Sequence, residues 1–260
     1  MTDAAHPLFD LSAPRAGAPM PGDVEAPSAL SSLLELRAPF AALSLMRRAP
    51  HLLRAPRGEG RPVMLLPGFL ADETSMRPLS AYLSYLGYKT GQWGLGRNRG
   101  DVDEDIRRFG AQLTGFQKRH HGAPVSLVGW SLGGVVAREA ARLYPDAVRE
   151  VITLGTPIIG GPKYTSVGAA YAAYRGIDMD AFERDVHDRN SVGLSQPLTS
   201  IYSKTDGVVG WKASVDVYNA HARNIEVTGS HFGLGVSASA WLAVATTLAM
   251  PVKRRSAIPE

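Results

Sequence analysis

The stretch LVGWSLGGVVA, residues 127–137, begins as an apolar run with strand character and ends as a helix. Among its residues are three glycines, one tryptophan and a single serine, Ser131. A strand that becomes a helix within a few residues must bend its backbone sharply. Gly129 and Gly133, two before and two after the serine, remove the side chains that would collide in such a bend. The pattern is G-x-S-x-G. It puts the serine hydroxyl at the exposed tip of the turn, with the N-terminus of the next helix pointing at it. This is the setting of a nucleophile. The plain alternative is a glycine-rich turn holding an ordinary serine.

A serine hydroxyl is a weak nucleophile at neutral pH and needs a base, and the base needs an orienting acid. The chain order that accompanies this elbow is Ser, then Asp or Glu, then His. Of the seven histidines, His6, His51, His120 and His121 precede the serine, and His187 and His221 do not directly follow a strand. His231 does, in NIEVTGSHFGLG, which makes it the expected base, with His221 the weaker candidate. LTSIYSKTDGVVG supplies Asp206 after the preceding strand as the expected acid, with Asp216 and Glu226 in reserve. Asp206-Gly207 is also a good turn pair, so a plain turn aspartate is the competing reading. An oxyanion hole needs two backbone donors. One is expected from Leu132, the residue after the nucleophile, and the other from LLPGFLAD, where Phe69 is preferred and Leu70 is the alternative.

Around these motifs the chain alternates. PVMLLPG, YKTGQWG, VSLVGW, VREVITLGTP, LTSIYS and NIEVTG read as strands. Residues 72–86, DVDEDIRRFGAQLTGFQKRHH, LGGVVAREAARLYP and SASAWLAVATTLA read as helices. Alternation of this kind predicts an α/β domain: a mostly parallel sheet of about six strands with helices on both faces, over residues 59–252. Before it, residues 1–27 are rich in Ala, Pro and Gly and read as a flexible arm. Residues 28–58 read as a helical extension of two short amphipathic helices separated at Pro39. The extension is expected to pack on the domain and to stand outside the catalytic core, because every chemical motif follows residue 60. A weak contact with a membrane surface through residues 28–54, helped by Arg47, Arg48 and Arg54, is the second reading. Residues 253–260 form a basic C-terminal tail.

Composition narrows the class. The 260 residues are 45% hydrophobic and 20% charged, ordinary for a soluble globular protein. There is no cysteine, which excludes disulfides, thiolate metal sites and cysteine nucleophiles. The net charge of +4 is scattered and no nucleic-acid motif accompanies it, so no nucleic-acid partner is expected. No signal peptide and no membrane-length apolar run is seen, so a soluble, cytoplasmic protein is expected, peripheral to a membrane if the extension binds one.

LLPGF, LVGWSLGGVVAREAA, VITLGTP, SKTDGVV and GSHFGL stand in the order found in the α/β-hydrolase superfamily. From about residue 61 to 250 the chain resembles its lipase and esterase branch. The resemblance implies hydrolysis of a small-molecule or lipid carboxylic ester through an acyl-serine, without metal or organic cofactor. Two departures stand out. Many lipases of the branch have His-Gly where this chain has Pro67-Gly68, and the usual leading antiparallel strands are replaced by the helical region. Residues 158–197 lie where a cap is often inserted, and a small helical cap over an apolar acyl pocket is expected there rather than a plain crossover. Leu70, Trp130, Tyr164, Tyr171 and Tyr174 are expected to line that pocket, with no fixed charge nearby. An acyltransferase using the same triad, or a non-catalytic binding protein on this fold, are the alternative functions.

Overall fold

The computed structural model describes residues 22–252; the N-terminal arm up to residue 21 and the C-terminal tail from 253 lie outside the described residues. The strands are β1 (Pro62–Leu66), β2 (Lys89–Gln92), β3 (Val125–Trp130), β4 (Val148–Leu154), β5 (Leu198–Tyr202) and β6 (Arg223–Glu226). They form one six-stranded sheet in the order β2-β1-β3-β4-β5-β6, and every pairing is parallel. The helices are α1 (Ala29–Ser32), α2 (Ala38–Arg47), α3 (Ala49–Leu53), α4 (Glu73–Tyr85), α5 (Val102–Arg119), α6 (Leu132–Leu143), α7 (Gly168–Arg175), α8 (Met179–Ser191), α9 (His231–Leu234) and α10 (Ala238–Leu248).

The central strands are apolar at consecutive positions because both faces are covered. In β1, Val63 and Leu65 point into a core shared with α3, α4 and α10, where Tyr82 stacks on Trp241. Met64 and Leu66 point the other way, toward Phe109 and Leu113 of α5 and Val136 and Ala140 of α6. Period-two geometry divides β3 in the same manner, Val128 to one core and Leu127 to the other. The two long helices after strands carry side-chain caps or charge patterns that fix their starts. Asp72 accepts from the Thr74 N–H at α4, and Asp101 from the Glu104 N–H at α5.

Because all strands run one way, their carboxyl ends share one edge. The order reverses between β1 and β3: the chain lays β2 outside β1, then returns to build β3 to β6 on the other side. A crevice at such a switch point is where parallel sheets bind ligands. Gly68, Ser131, Gly155, Asp206 and His231 all follow strand ends at this edge.

Two expectations about the extension change. Pro39 falls in the first turn of α2, where a missing N–H costs nothing, instead of separating two helices; a 3₁₀ turn, Leu33–Arg37, separates α1 from α2. The extension also reaches the site edge, as described below. The last residues of the arm lie on the protein: Val24 packs on the small cluster of Ile159, Val209 and Ala213. Among the described residues no helix is long and apolar enough to cross a membrane.

Candidate active site

Ser131 has φ 53° and ψ −124°, outside the regions a non-glycine residue ordinarily occupies. The bend is held from three sides. The Ser131 N–H donates to the Leu154 carbonyl at 2.8 Å, and the Ser131 carbonyl accepts from the Gly134 N–H and the Thr156 hydroxyl, both at 2.9 Å. Glycines make the crowding tolerable. A Cβ on Gly129 would collide with the Gly133 carbonyl, and one on Gly133 would lie 2.5 Å from the Pro67 carbonyl.

Asp206 and His231, the expected acid and base, meet. His231 Nδ1 lies 2.7 Å from Asp206 Oδ2, and both residues are buried. The second oxygen of Asp206 accepts the N–H groups of Val208 at 2.9 Å and Val209 at 2.7 Å, which fixes the carboxylate plane. With Nδ1–H donating to the acid, the lone pair is left on Nε2. Gly155, at φ 53°, passes so close that a Cβ there would sit 2.9 Å from Asp206 Oδ2 and 3.1 Å from His231 Nδ1. Ser131 and His231 open onto one cavity of about 640 Å³; among the described residues Ser131 Oγ makes no hydrogen bond to His231. His231 is the first residue of the short helix α9, capped by the Ser230 hydroxyl accepting from Gly233 N–H at 3.2 Å, and not a loop residue.

The alternatives are occupied elsewhere. Asp216 receives Arg138 Nη1 at 2.5 Å and the N–H groups of Tyr218 and Asn219. Glu226 pairs with Lys204 at 2.8 Å, His187 faces the Tyr218 hydroxyl, and His221 is exposed.

The loop after β1 runs beside the serine, with a built Cβ on Gly68 only 3.1 Å from Ser131 Cβ. The Leu70 N–H donates to the Asn98 carbonyl at 2.7 Å, so Leu70 is not a free donor. The N–H of Phe69 has no hydrogen-bond partner among the described residues, and that of Leu132 starts α6, where no intrahelical acceptor exists. Asn98 is a residue that pattern reading misses. Fully buried, it donates Nδ2 to Pro67 O at 3.0 Å, donates its N–H to Ala71 O and accepts from Leu70, so one side chain and its peptide hold the whole turn. Only an asparagine among the arginines and glycines of GLGRNRGD hinted at it.

The segment between β4 and β5 folds as a 3₁₀ turn, α7 and α8, and it covers the cavity with Pro162, Val167, Tyr171, Ile177 and Phe182. Of the expected pocket residues, Leu70, Trp130 and Tyr171 line it. Tyr171 meets Phe69 edge-on at 5.6 Å, donates its hydroxyl to Gly100 O at 3.0 Å, and is held above the usual phenol range by burial. Trp130 both lines the cavity and braces the base, its Nε1–H donating to the His231 carbonyl at 3.3 Å. Tyr164 and Tyr174 are corrections. Tyr164 turns to the cap's own charges, its hydroxyl donating to Glu183, while Tyr174 is 75% exposed on the outer side of α7. The absence of fixed charge is also corrected: Asp101, Asp103 and Arg175 line the cavity on the side of Gly100 and Tyr171, and Arg138, Glu139, Asp185 and Arg189 line it on the side of α6 and α8. Arg138 lies on α6 seven residues beyond Ser131, roughly 10 Å along the axis. Among the described residues no group of three or more His, Asp or Glu could hold a metal ion.

Solved structures of other proteins share the fold. Lipase BlEst2 of Bacillus licheniformis superposes with a TM-score of 0.57 at 16% identity, over 76% of this chain and 95% of that one. The metagenome-derived lipolytic enzymes LipS and LipT include a structure matching with a TM-score of 0.56 at 14% identity, over 75% of this chain and 94% of that one. The chain has the α/β-hydrolase fold. In sequence it is similar to the pimeloyl-[acyl-carrier protein] methyl ester esterase of Shewanella woodyi, 31% identical over 103 residues. That match spans 38% of this chain and 37% of the relative's length. No family model matches the chain.

The elbow itself gives a stability prediction. Gly133→Ala would drive a methyl into the fixed carbonyls of Leu66 and Pro67, which have no side-chain freedom to yield. The variant should lose about 3 kcal/mol or more of stability. A urea midpoint equal to that of the wild type would show that the elbow has more room than its geometry implies.

Proposed function

We propose that the protein is a serine ester hydrolase of esterase or lipase type. The observation that carries this reading is the buried Asp206–His231 pair at 2.7 Å, opening on the cavity that also holds the strained Ser131. The Ser131 hydroxyl attacks the ester carbonyl carbon while His231 Nε2 takes its proton. The carbonyl oxygen becomes an oxyanion and accepts the N–H groups of Phe69 and Leu132. One such donor is worth about 2.7–4 kcal/mol of barrier. Collapse of the tetrahedral species breaks the ester C–O bond, and the imidazolium returns its proton to the departing alcohol. Water then repeats the sequence on the acyl-serine and frees the acid. Asp206 fixes the imidazole tautomer and stabilises its charged form. The sequence relative is by name a methyl ester esterase, which agrees with a carboxylic ester as substrate.

Apolar side chains near the serine favour an acyl chain over a charged group. Each buried methylene adds up to ~0.8 kcal/mol, roughly fourfold in specificity. The gain ends where the cavity turns polar toward Arg138 and Arg189. A further proposal concerns the extension: Leu33, Leu36, Leu43 and Met46 are more than half exposed, near the exposed Arg47 and Arg48, and this side suits an anionic lipid surface.

A fluorophosphonate should label Ser131 and no other residue, and Ser131→Ala should abolish labelling. His231→Ala should cost nearly as much turnover as losing the serine, up to about 10⁶-fold, and Asp206→Asn less. Full activity in Ser131→Ala would end the reading. On p-nitrophenyl esters, kcat/KM should rise from acetate to at least hexanoate. A maximum at acetate with a steep fall by butyrate would mean the apolar cavity does not receive the acyl chain. The protein should co-sediment with vesicles containing anionic lipid, and Leu36→Asp with Met46→Asp should release it. Equal sedimentation of both proteins would remove the membrane role.

A further inference from the structure

One carboxylate from outside the sheet domain touches both the acid loop and the base loop. Glu35, in the 3₁₀ turn between α1 and α2, accepts the Gly207 N–H at 2.8 Å and the His231 N–H at 2.7 Å on Oε1. Its Oε2 accepts the Phe232 N–H at 2.9 Å. The same turn of chain also takes the other side of Gly207, the Ser32 hydroxyl donating to its carbonyl at 3.0 Å. The fit is close: a Cβ on Gly207 would collide with the Ser31 carbonyl and lie 3.0 Å from Glu35 Oε1. Gly207 directly follows Asp206, and His231 bears the imidazole.

We infer that Glu35 is a positioning residue for the proton relay, so that the N-terminal extension belongs to the catalytic unit. The inference rests on the serine-hydrolase reading. The physical ground is that the Asp206–His231 hydrogen bond joins two loops from different strand ends, which beyond the last sheet pairing at 202 and 226 are linked by the Val227 N–H to the Tyr202 carbonyl at 2.8 Å and by the Thr205 hydroxyl to the Gly229 carbonyl at 3.0 Å, both on the near side of the pair. A planar carboxylate accepting from both main chains fixes their separation. The His231 and Phe232 amides open α9 and have no acceptor within that helix, so a negative side chain is favoured there. Without it, the Thr205 hydroxyl bond to Gly229 alone ties the loops ahead of the pair, and Gly207, His231 and Phe232 can shift while local bonds persist: Asp206 keeps Val208 and Val209, and Ser230 keeps Gly233. A displacement of this kind alters the reacting geometry without removing any group that touches substrate.

The test uses the full-length protein and compares Glu35→Ala and Glu35→Gln with Ser44→Ala. The Ser44 hydroxyl ties α2 to the Ala238 N–H at 3.1 Å and, among the described residues, makes no hydrogen bond to either loop, so it serves as an ordinary docking contact of the same extension. Glu35→Ala should lower kcat by about 10- to 100-fold with KM within about threefold, and slow fluorophosphonate labelling of Ser131 in proportion. Glu35→Gln keeps one acceptor oxygen and should fall between Glu35→Ala and wild type. Ser44→Ala should keep wild-type kcat. Assays at a temperature where circular dichroism shows every variant folded separate positioning from unfolding. The inference is overturned if folded Glu35→Ala turns over within about twofold of wild type, or if Ser44→Ala reproduces its loss. If wild type is not labelled at Ser131, the hydrolase reading fails and the positioning role with it. Normal labelling with an unaffected Glu35→Ala removes the positioning role alone.

Discussion

Ser131 sits at positive φ, and everything at the carboxyl edge of the sheet is arranged around that conformation. A strained non-glycine residue costs about 1–3 kcal/mol and survives only where its surroundings over-determine it. Here the surroundings are mostly backbone. The carbonyls of Leu66, Pro67, Gly133 and Leu154 approach the turn directly, and glycines stand wherever a Cβ would obstruct them. The consequence is a serine that cannot relax toward the helix behind it. Its hydroxyl is aimed by covalent geometry and packing, with no side-chain hydrogen bond required to hold it.

The same close approach recurs at Asp206 and His231. Gly155 lets the chain after β4 pass within contact of the Asp206–His231 pair, and Gly68 lets the chain after β1 pass beside the serine. Parallel strands bring six loops to one edge, but strand spacing alone leaves side chains several ångströms apart. Glycine closes that distance. Hydrogen bonds then fix what glycine leaves loose: the Asn98 side chain for the turn after β1, and the backbone amides of Val208 and Val209 for Asp206.

This division explains what could be read from the sequence. That Ser131, Asp206 and His231 stand at one edge was legible because each has a signal local to its own strand end. The six-stranded parallel sheet followed from the same alternation. Asn98 and Glu35 were barely legible, because their partners lie about 30 and more than 170 residues away in sequence, and beyond the lone asparagine of GLGRNRGD nothing in their own neighbourhoods marks them. Tyr164 and Tyr174 misled for the opposite reason. Aromatic content was visible, but which face of the 3₁₀ turn and of α7 meets the cavity depends on how those elements dock. The charges of Arg138 and Glu139 were overlooked because position along α6 was read only as helix, although residues 131, 135, 138 and 139 share one face at helical spacing.

That face also ties the segment over the cavity to the elbow at Ser131. Arg138 is buried, pairs with Asp216 at 2.5 Å and donates Nη2 to the Asn190 side chain at 2.9 Å. Asn190 belongs to α8 and donates on to the Ile158 carbonyl at 2.7 Å, while Asp216 is gripped by Asn219 and by amides of the β5–β6 connection. Breaking a buried ion pair by removing one partner typically costs about 3–5 kcal/mol, because the remaining charge is left without compensation. The network therefore does not need to add net stability over an apolar core to matter. It penalises any movement of α8 away from α6, and α6 is the helix whose first residue follows Ser131. The cover over the cavity and the elbow beneath it are thus held in one register, and the charged end of the cavity is the same set of groups that enforces it.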